Sequence, residues 1–250
     1  MTPPAPERND RRDFRWRSRE ITRIEGFSDA VFAFAVTLLV VSLEVPRTFD
    51  ELSEAMHGFV AFALGSALLF IIWYNQYKFF RRYGLQDRTT ITLNGALLFV
   101  VLFFVYPLKF LFTLLVRAFA GDTLTVRVAG GALEPVIRQE QISTLMLYYG
   151  AGYVAVFGLF LLMYAHAYRQ RRALALTALE EFDTLAGVRE NALNVGIGFL
   201  SIAIILIWGA PGAALAGWSY ALVGPVLAIH GTISGRYRRT RMTGDGAPTA

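Results

Sequence analysis

The chain consists of long apolar stretches separated by short charged connections. A helix needs about 20 mostly apolar residues to cross a bilayer core of roughly 30 Å. Six stretches come close to or reach this length, and the run from Gly209 to Gly212, which contains Pro211, divides the last two. The predicted helices span approximately residues 27–45, 58–77, 89–108, 142–168, 191–208 and 213–233. The pattern therefore predicts an all-α, polytopic membrane protein with six transmembrane helices per subunit.

The longest connection, at about residues 118–141, has a different pattern. Leu124, Val126 and Val128 alternate with polar residues before Gly130 and Gly131. Such alternation is typical of a short hairpin strand. The length and composition of the connection favour an irregular cap instead, and this is the interpretation that we prefer.

The basic residues are distributed unevenly between alternate connections. The chain has 24 Lys and Arg against 19 Asp and Glu, a net charge of +5. Nineteen of the basic residues lie before the first helix, after the last helix, or in residues 78–89 and 169–189, and five lie in the other connections. Membrane proteins keep an excess of Lys and Arg on the cytoplasmic side. We therefore predict a multi-pass protein of the cell membrane with both termini in the cytoplasm.

This orientation completes the predicted domain organisation. Residues 1–20 form a flexible cytoplasmic arm, residues 21–235 a six-helix transmembrane domain, and residues 236–250 a flexible cytoplasmic tail. Because the basic residues follow the topology rule, we expect no nucleic-acid partner, and we expect only weak additional binding to anionic membrane lipids.

The composition excludes several classes of functional site. Hydrophobic residues make up 55% of the chain, which has no cysteine and only His57, His166 and His230 as histidines, far apart in sequence. Thiolate metal sites, iron–sulfur clusters and cysteine nucleophiles are therefore excluded. The apolar helices carry no metalloprotease motif, phosphate-binding glycine loop or Ser/His/Asp set. We expect a protein that is not an enzyme, with no catalytic residues, no metal site and no cofactor.

The first helix begins with charged residues in an otherwise apolar segment. An unpaired charge in lipid costs several kcal/mol, so Arg23 and Asp29 need partners. They either belong to a network between helices, which we favour, or act as an interfacial anchor and a capping acid. At about 100° per residue, positions 27, 31, 34, 38 and 41 share one stripe. Periodicity alone is consistent with a stripe that faces lipid or the protein core.

The motif Arg-x-x-x-Phe-Ser-Asp at residues 23–29, followed by an aliphatic helix that ends at Pro46, resembles the signature of the transmembrane protein 175 potassium channels in their bacterial branch. Residues 73–77, Trp-Tyr-Asn-Gln-Tyr, are similar to the Trp-x-Asn-His-His of that family, and Asn94 also fits. The resemblance covers residues 19–110. Gln76 and Tyr77 replace the paired histidines, so proton sensitivity that depends on them is expected to be absent.

The resemblance implies a potassium channel in which four copies of a six-helix subunit surround a pore lined by the first helix, without a carbonyl selectivity filter. The permeant ion would be K⁺, and the partners would be further copies of the chain and membrane lipids. By position, the resemblance assigns the pore and its constriction to Phe34, Thr37, Leu38 and Val41. It assigns the helix-packing network to Arg23, Phe27, Ser28, Asp29, Trp73, Asn75 and Asn94.

A secondary transporter of a small cation or solute is the alternative. Transporters usually interrupt helices near the middle of the membrane and place ionisable groups there. The central turns of these helices carry almost none. A membrane enzyme acting on lipids ranks below both, because no nucleophile or metal set is present.

Overall fold

A computed structural model describes residues 14–18, 20–41, 47–49, 52, 56, 58–121, 124–127 and 133–244. The described residues are mostly helical, as predicted. The α-helices are α1 (Arg23–Val41), α2 (Phe59–Tyr83), α3 (Arg88–Phe119), α4 (Gln139–Arg169), α5 (Ala178–Trp208), α6 (Ala213–Ser219) and α7 (Val223–Gly244). Two strands, β1 (Thr125–Arg127) and β2 (Leu133–Pro135), and two 3-10 turns, Ala210–Gly212 and Tyr220–Leu222, complete the described elements.

Five helical segments within the described residues are long and apolar enough to cross a membrane. They are α2, α3, α4, α5 and the segment Ala210–Arg236, which combines α6 with most of α7. α1 is a further apolar helix of 19 residues that is not one of these five, and it carries Arg23, Glu25 and Asp29 in its first two turns.

Several helices extend beyond the apolar stretches that predicted them. α5 begins at Ala178 rather than at residue 191, because Thr177 and Glu180 form a capping box. The amide of Glu180 donates to Thr177 Oγ1 over 3.3 Å, and the amide of Thr177 donates to Glu180 Oε2 over 2.9 Å. Uncharged stretches mark only the part of a helix that lies in the bilayer core, so they miss charged first turns of this kind.

Proline has opposite effects in two helices. α3 continues through Pro107 to Phe119, so the predicted end near residue 108 is wrong, and the mostly apolar residues that follow extend the helix. The predicted helix at 213–233 is divided instead: α6 ends at Ser219, a 3-10 turn follows, and α7 restarts with Pro225 in its first turn. Proline is tolerated in the first turn of a helix because the amide it lacks has no helical partner there.

The connection between α3 and α4 contains a short hairpin, so the preferred prediction of an irregular cap is wrong. β1 and β2 pair antiparallel, with Thr125 opposite Pro135 and Arg127 opposite Leu133. The amide of Val136 donates to the carbonyl of Leu124 over 2.9 Å and extends the pairing. Alternation over only a few residues is too short a signal to distinguish a strand from a cap.

Parts of the two predicted flexible ends have defined positions in the structure. Residues 14–18 pack against the helices, with Phe14 and Ser18 buried, while residues 1–13 lie outside the described residues. At the other end α7 continues to Gly244, so residues 236–244 are helical and only 245–250 lie outside the described residues.

One hydrophobic core joins α1 to α2, α3 and α4. On α1 it contains Phe32, Ala35 and Leu39, and α2 contributes Leu69 and Phe79. α3 adds Leu97, Leu98, Val101 and Val105, and α4 adds Phe160, Met163 and Ala167. α1 therefore rests on the α2–α3 pair by one of its faces.

Candidate pore helix

α1 has a buried face and an unpartnered face. Phe32, Ala35 and Leu39 are buried against α2 and α3. On the opposite side Phe27 is 65% exposed and Phe34 is 56% exposed, although both side chains are large and apolar. An apolar helix that leaves such residues uncovered needs either lipid or another protein surface against it.

The exposed face differs by about one position from the predicted stripe. Ala30, Phe34 and Thr37 are exposed, whereas Val31 and Leu38 are half-buried and pack against the core. The hydroxyl of Thr37 donates to the carbonyl of Ala33 over 2.9 Å, so its polar group is satisfied within the helix. Among the predicted pore residues, Phe34 and Thr37 thus lie on the free face and Leu38 at its edge. Val41 ends α1, and its side chain lies outside the described part of the chain.

A chain of buried hydrogen bonds connects α1 to both neighbouring helices. Asn94 Nδ2 donates to Ser28 Oγ over 3.0 Å, and Gln76 Nε2 donates to Asn94 Oδ1 over 2.6 Å. Ser28 Oγ donates in turn to the carbonyl of Ile24 over 2.7 Å. Gln76 and Asn94 are only 2% and 1% exposed, so their amides depend on each other as partners.

A second contact holds α1 to α2 one residue further along α1. Trp73 Nε1 donates to Asp29 Oδ1 over 2.7 Å, and the ring of Trp73 stacks on Tyr77 with centroids 5.7 Å apart. Asp29 is exposed, so its carboxylate lies at the border of the free face while it is held by the indole.

The first turn of α1 is capped locally. Glu25 Oε2 accepts hydrogen bonds from the amide and the hydroxyl of Thr22, each over 2.8 Å. The amide of Glu25 donates to Thr22 Oγ1 over 3.3 Å. This reciprocal pair defines where the helix begins.

The structure joins four of the seven residues predicted as a packing network. Ser28 and Asn94 belong to the buried chain, and Asp29 and Trp73 form the second contact. Three others are placed differently. Arg23 and Phe27 lie on the exposed side of α1, and Asn75 is half-buried, with no side-chain hydrogen bond to the network among the described residues.

Gln76 is a further member of this network that the sequence pattern did not predict. In the family resemblance it stands only as the replacement for a histidine. The buried positions of α2 include Leu69, Ile72, Gln76 and Phe79, spaced three or four apart. That spacing places Gln76 on the stripe that faces the neighbouring helices, and it could have identified the residue.

The described residues contain no group of three or more His, Cys, Asp and Glu side chains suited to a metal ion. The site offers a mostly apolar helix face, with Arg23 at its start and the carboxylate of Asp29 at its border, held in place by hydrogen bonds.

Comparison with known proteins identifies the family. Residues 23–104 match the family described as the endosomal/lysosomal potassium channel TMEM175. A potassium channel of Marivirga tractuosa is 41% identical over 230 residues, which cover 91% of this chain and 93% of that protein. The chain belongs to the TMEM175 potassium channel family. The resemblance seen in the sequence is thereby confirmed, and the similarity reaches well beyond residue 110.

Solved TMEM175 structures agree with this assignment. A crystal structure of a variant of the potassium channel MtTMEM175, in complex with a nanobody fusion, has a TM-score of 0.77 at 40% identity and covers 90% of this chain and 97% of its own. A lysosomal potassium-selective channel TMEM175 homolog from Chamaesiphon minutus shares the fold, with a TM-score of 0.50 at 22% identity over 80% of this chain and 96% of its own. The TMEM175 family and the apolar helices together make this chain a multi-pass membrane protein.

Proposed function

We propose that this chain forms a potassium-selective or potassium-preferring channel whose pore is lined by α1 from several copies. The observation that carries the proposal is the free face of α1, with Ala30, Phe34 and Thr37 exposed while the opposite face is buried. The relatives named as potassium channels and the family support the same function. In the family resemblance the number of copies is four, and we adopt a homotetramer.

Phe34 forms the hydrophobic constriction of the proposed pore. Several aromatic rings that meet at one level leave no polar group to replace the water around an ion, so the segment closes by dewetting. Thr37 adds a hydroxyl one turn further along the same face. Selectivity arises without backbone carbonyls, because α1 is helical throughout this region and its carbonyls are bonded within the helix.

The buried chain of Ser28, Asn94 and Gln76 positions α1 rather than conducting ions. Its side chains lie on the side of α1 that faces α2 and α3. The carboxylate of Asp29, at the border of the free face, supplies negative charge beside the end of the pore where α1 begins, and Arg23 supplies positive charge on the same exposed side.

The test is a current recording on purified protein in planar bilayers, with a potassium gradient and then with sodium replacing potassium. We expect unitary currents that reverse near the potassium equilibrium potential. Phe34→Ala removes the constriction and is expected to raise the basal conductance. Phe99→Ala is the matched control, because Phe99 is also a largely exposed phenylalanine but lies on α3, and it is expected to leave the current unchanged.

Two results would contradict the proposal. An unchanged conductance in Phe34→Ala would show that Phe34 does not form the constriction. Cation flux that requires a counter-ion would show that the protein is a secondary transporter and not a channel.

A further inference from the structure

The segment that precedes α1 is packed against the ends of other helices. Phe14 is buried, with its ring edge-on to Tyr83 of α2 at 5.5 Å between centroids. The amide of Arg17 donates to the carbonyl of Arg81 over 3.0 Å. The guanidinium of Arg81 lies over the ring of Trp16 at 4.9 Å. Residues 14–18, which we name the anchor segment, therefore lie along the end of α2.

A single carboxylate receives both arginines of the anchor segment. Glu180, in the first turn of α5, is 3% exposed. Arg17 binds it with both terminal nitrogens, Nη2 to Oε2 over 2.8 Å and Nη1 to Oε1 over 3.2 Å. Arg15 adds Nη2 to Oε2 over 3.1 Å and its backbone amide to Oε1 over 3.0 Å. Bidentate guanidinium–carboxylate pairs of this kind fix orientation as well as distance.

The remaining donors of the two arginines bind backbone carbonyls around the same point. Arg17 Nε donates to the carbonyl of Leu174 over 3.1 Å, and Arg17 Nη1 donates to the carbonyl of Arg82 over 3.3 Å. Arg15 Nη2 donates to Ala175 over 2.9 Å. The anchor segment is thus bonded to the end of α2, to the connection between α4 and α5, and to α5 itself.

The anchor segment is close to α1 along the chain. α1 begins at Arg23, five residues after Ser18, and five residues span at most about 17 Å even when extended. Ser18 is buried, and its hydroxyl donates to the carbonyl of Glu20 over 2.8 Å. The position of the anchor segment therefore limits where α1 begins.

We infer that Glu180 is a positioning residue for the pore helix. Through Arg15 and Arg17 it fixes the segment that leads into α1, and so it sets the position of the end of α1 that carries Phe27 and Asp29. The inference rests on the proposed channel function for its effect on conduction. The anchoring itself rests on contacts within one subunit.

The decisive variant is Glu180→Gln. Glutamine keeps an oxygen that accepts the amide of Thr177, so the start of α5 stays capped, but the negative charge that both guanidinium groups need is removed. Glu181→Gln is the matched control. Glu181 is the next residue, half-exposed, 4.0 Å from Arg171, and bonded to neither Arg15 nor Arg17.

Two measurements are made on the full-length protein. The first is hydrogen–deuterium exchange of peptides that cover residues 14–25, which needs no conduction. The second is the open probability of single channels in bilayers of fixed lipid composition. For Glu180→Gln we expect exchange at least about ten-fold faster in residues 14–25, since a charged buried hydrogen bond contributes about one factor of ten or more. We also expect a changed open probability, and we expect Glu181→Gln to match the wild type in both.

Arg17→Lys keeps the charge but loses the bidentate geometry, so it provides the same test if Glu180→Gln does not give folded protein. Exchange that stays at the wild-type rate in both variants would overturn the anchoring. Faster exchange with an unchanged open probability would overturn the positioning role. A silent wild-type protein with faster exchange in the variant would count against the channel function and would support the anchoring.

Discussion

Individual polar side chains carry most of the specificity between α1 and its neighbours. Ser28, Asn94 and Gln76 satisfy one another at positions that are almost fully buried, where an unpaired amide is costly. Asn94 has the central place, since it donates to one neighbour and accepts from the other. Its removal leaves the amide of Gln76 without its partner.

Asn94→Leu is expected to lower the free energy of unfolding by about 1–3 kcal/mol, because it leaves a buried amide unsatisfied. Asn75→Leu is the control, since Asn75 is half-buried one position before Gln76 and has no part in the buried chain. Thermal unfolding of the detergent-solubilised protein, followed by size-exclusion fluorescence, measures both. Equal losses in the two variants would show that the buried chain is not a source of stability.

Asp87 makes the stability dependent on pH at the start of α3. Partial burial by itself would raise the pKa of its carboxyl group, but the hydrogen bond from Thr90 Oγ1 and the nearby His166 outweigh that effect and hold the pKa below its usual value. His166 Nε2 lies 2.9 Å from Asp87 Oδ2. A carboxyl group with a lowered pKa in the folded state contributes stability at higher pH and loses it as the pH falls through that pKa.

The unfolding temperature of the wild type is therefore expected to fall as the pH drops below about 4. Asp87→Asn keeps a side chain that caps α3 at the amide of Thr89 but has no charge to lose. Its unfolding temperature is expected to be lower at pH 7 and to change less on acidification. If the unfolding temperatures of the two proteins fall equally on acidification, Asp87 is not the source of the pH dependence.

At the scale of helices and strands, the apolar pattern predicts the number and order of the spans but not their ends. The start of α5 depends on the capping box of Thr177 and Glu180, and the continuation of α3 depends on the apolar residues after Pro107. The exposed face of α1 is offset from the predicted stripe because packing on α2 and α3, and not periodicity alone, decides which edge is covered. The anchor segment was predicted as flexible because charge pattern does not reveal a partner such as Glu180, which is 163 residues from Arg17 in sequence.

Helix spacing is set by glycines at particular positions. A Cβ at Gly152 on α4 would overlap the ring of Phe104 on α3, whereas a Cβ at Gly158, on the same helix, would meet nothing within 4 Å. Gly152→Ala is expected to destabilise the protein by about 1–3 kcal/mol by overpacking. Gly158→Ala is expected to be neutral or to stabilise by up to about 1 kcal/mol.

Chemical unfolding of both glycine variants in mixed micelles measures this difference. An unchanged stability in Gly152→Ala would mean that α3 and α4 can separate without cost.

At the scale of the whole molecule, the uneven distribution of basic residues predicts the orientation in the membrane. The chain contains no cysteine, so single cysteines can be introduced without a background. Glu134 on β2 and Ala173 in the connection between α4 and α5 are both exposed. We expect Glu134→Cys to react with a membrane-impermeant maleimide on intact cells, and Ala173→Cys to react only after permeabilisation. The reverse labelling pattern would show that the orientation in the membrane is opposite to the predicted one.

The turn between α2 and α3 is short and is capped at both helix ends. Gly84 ends α2 in the left-handed conformation, with φ of 60° and its amide bonded to Phe80, and Asp87 caps α3 three residues later. This short connection, with a cap at each side, holds the end of α2 close to the start of α3. Among the described residues, a force that displaces α1 is resisted by its side-chain contacts, above all Ser28 with Asn94 and Asp29 with Trp73, and by the anchor segment that leads into it.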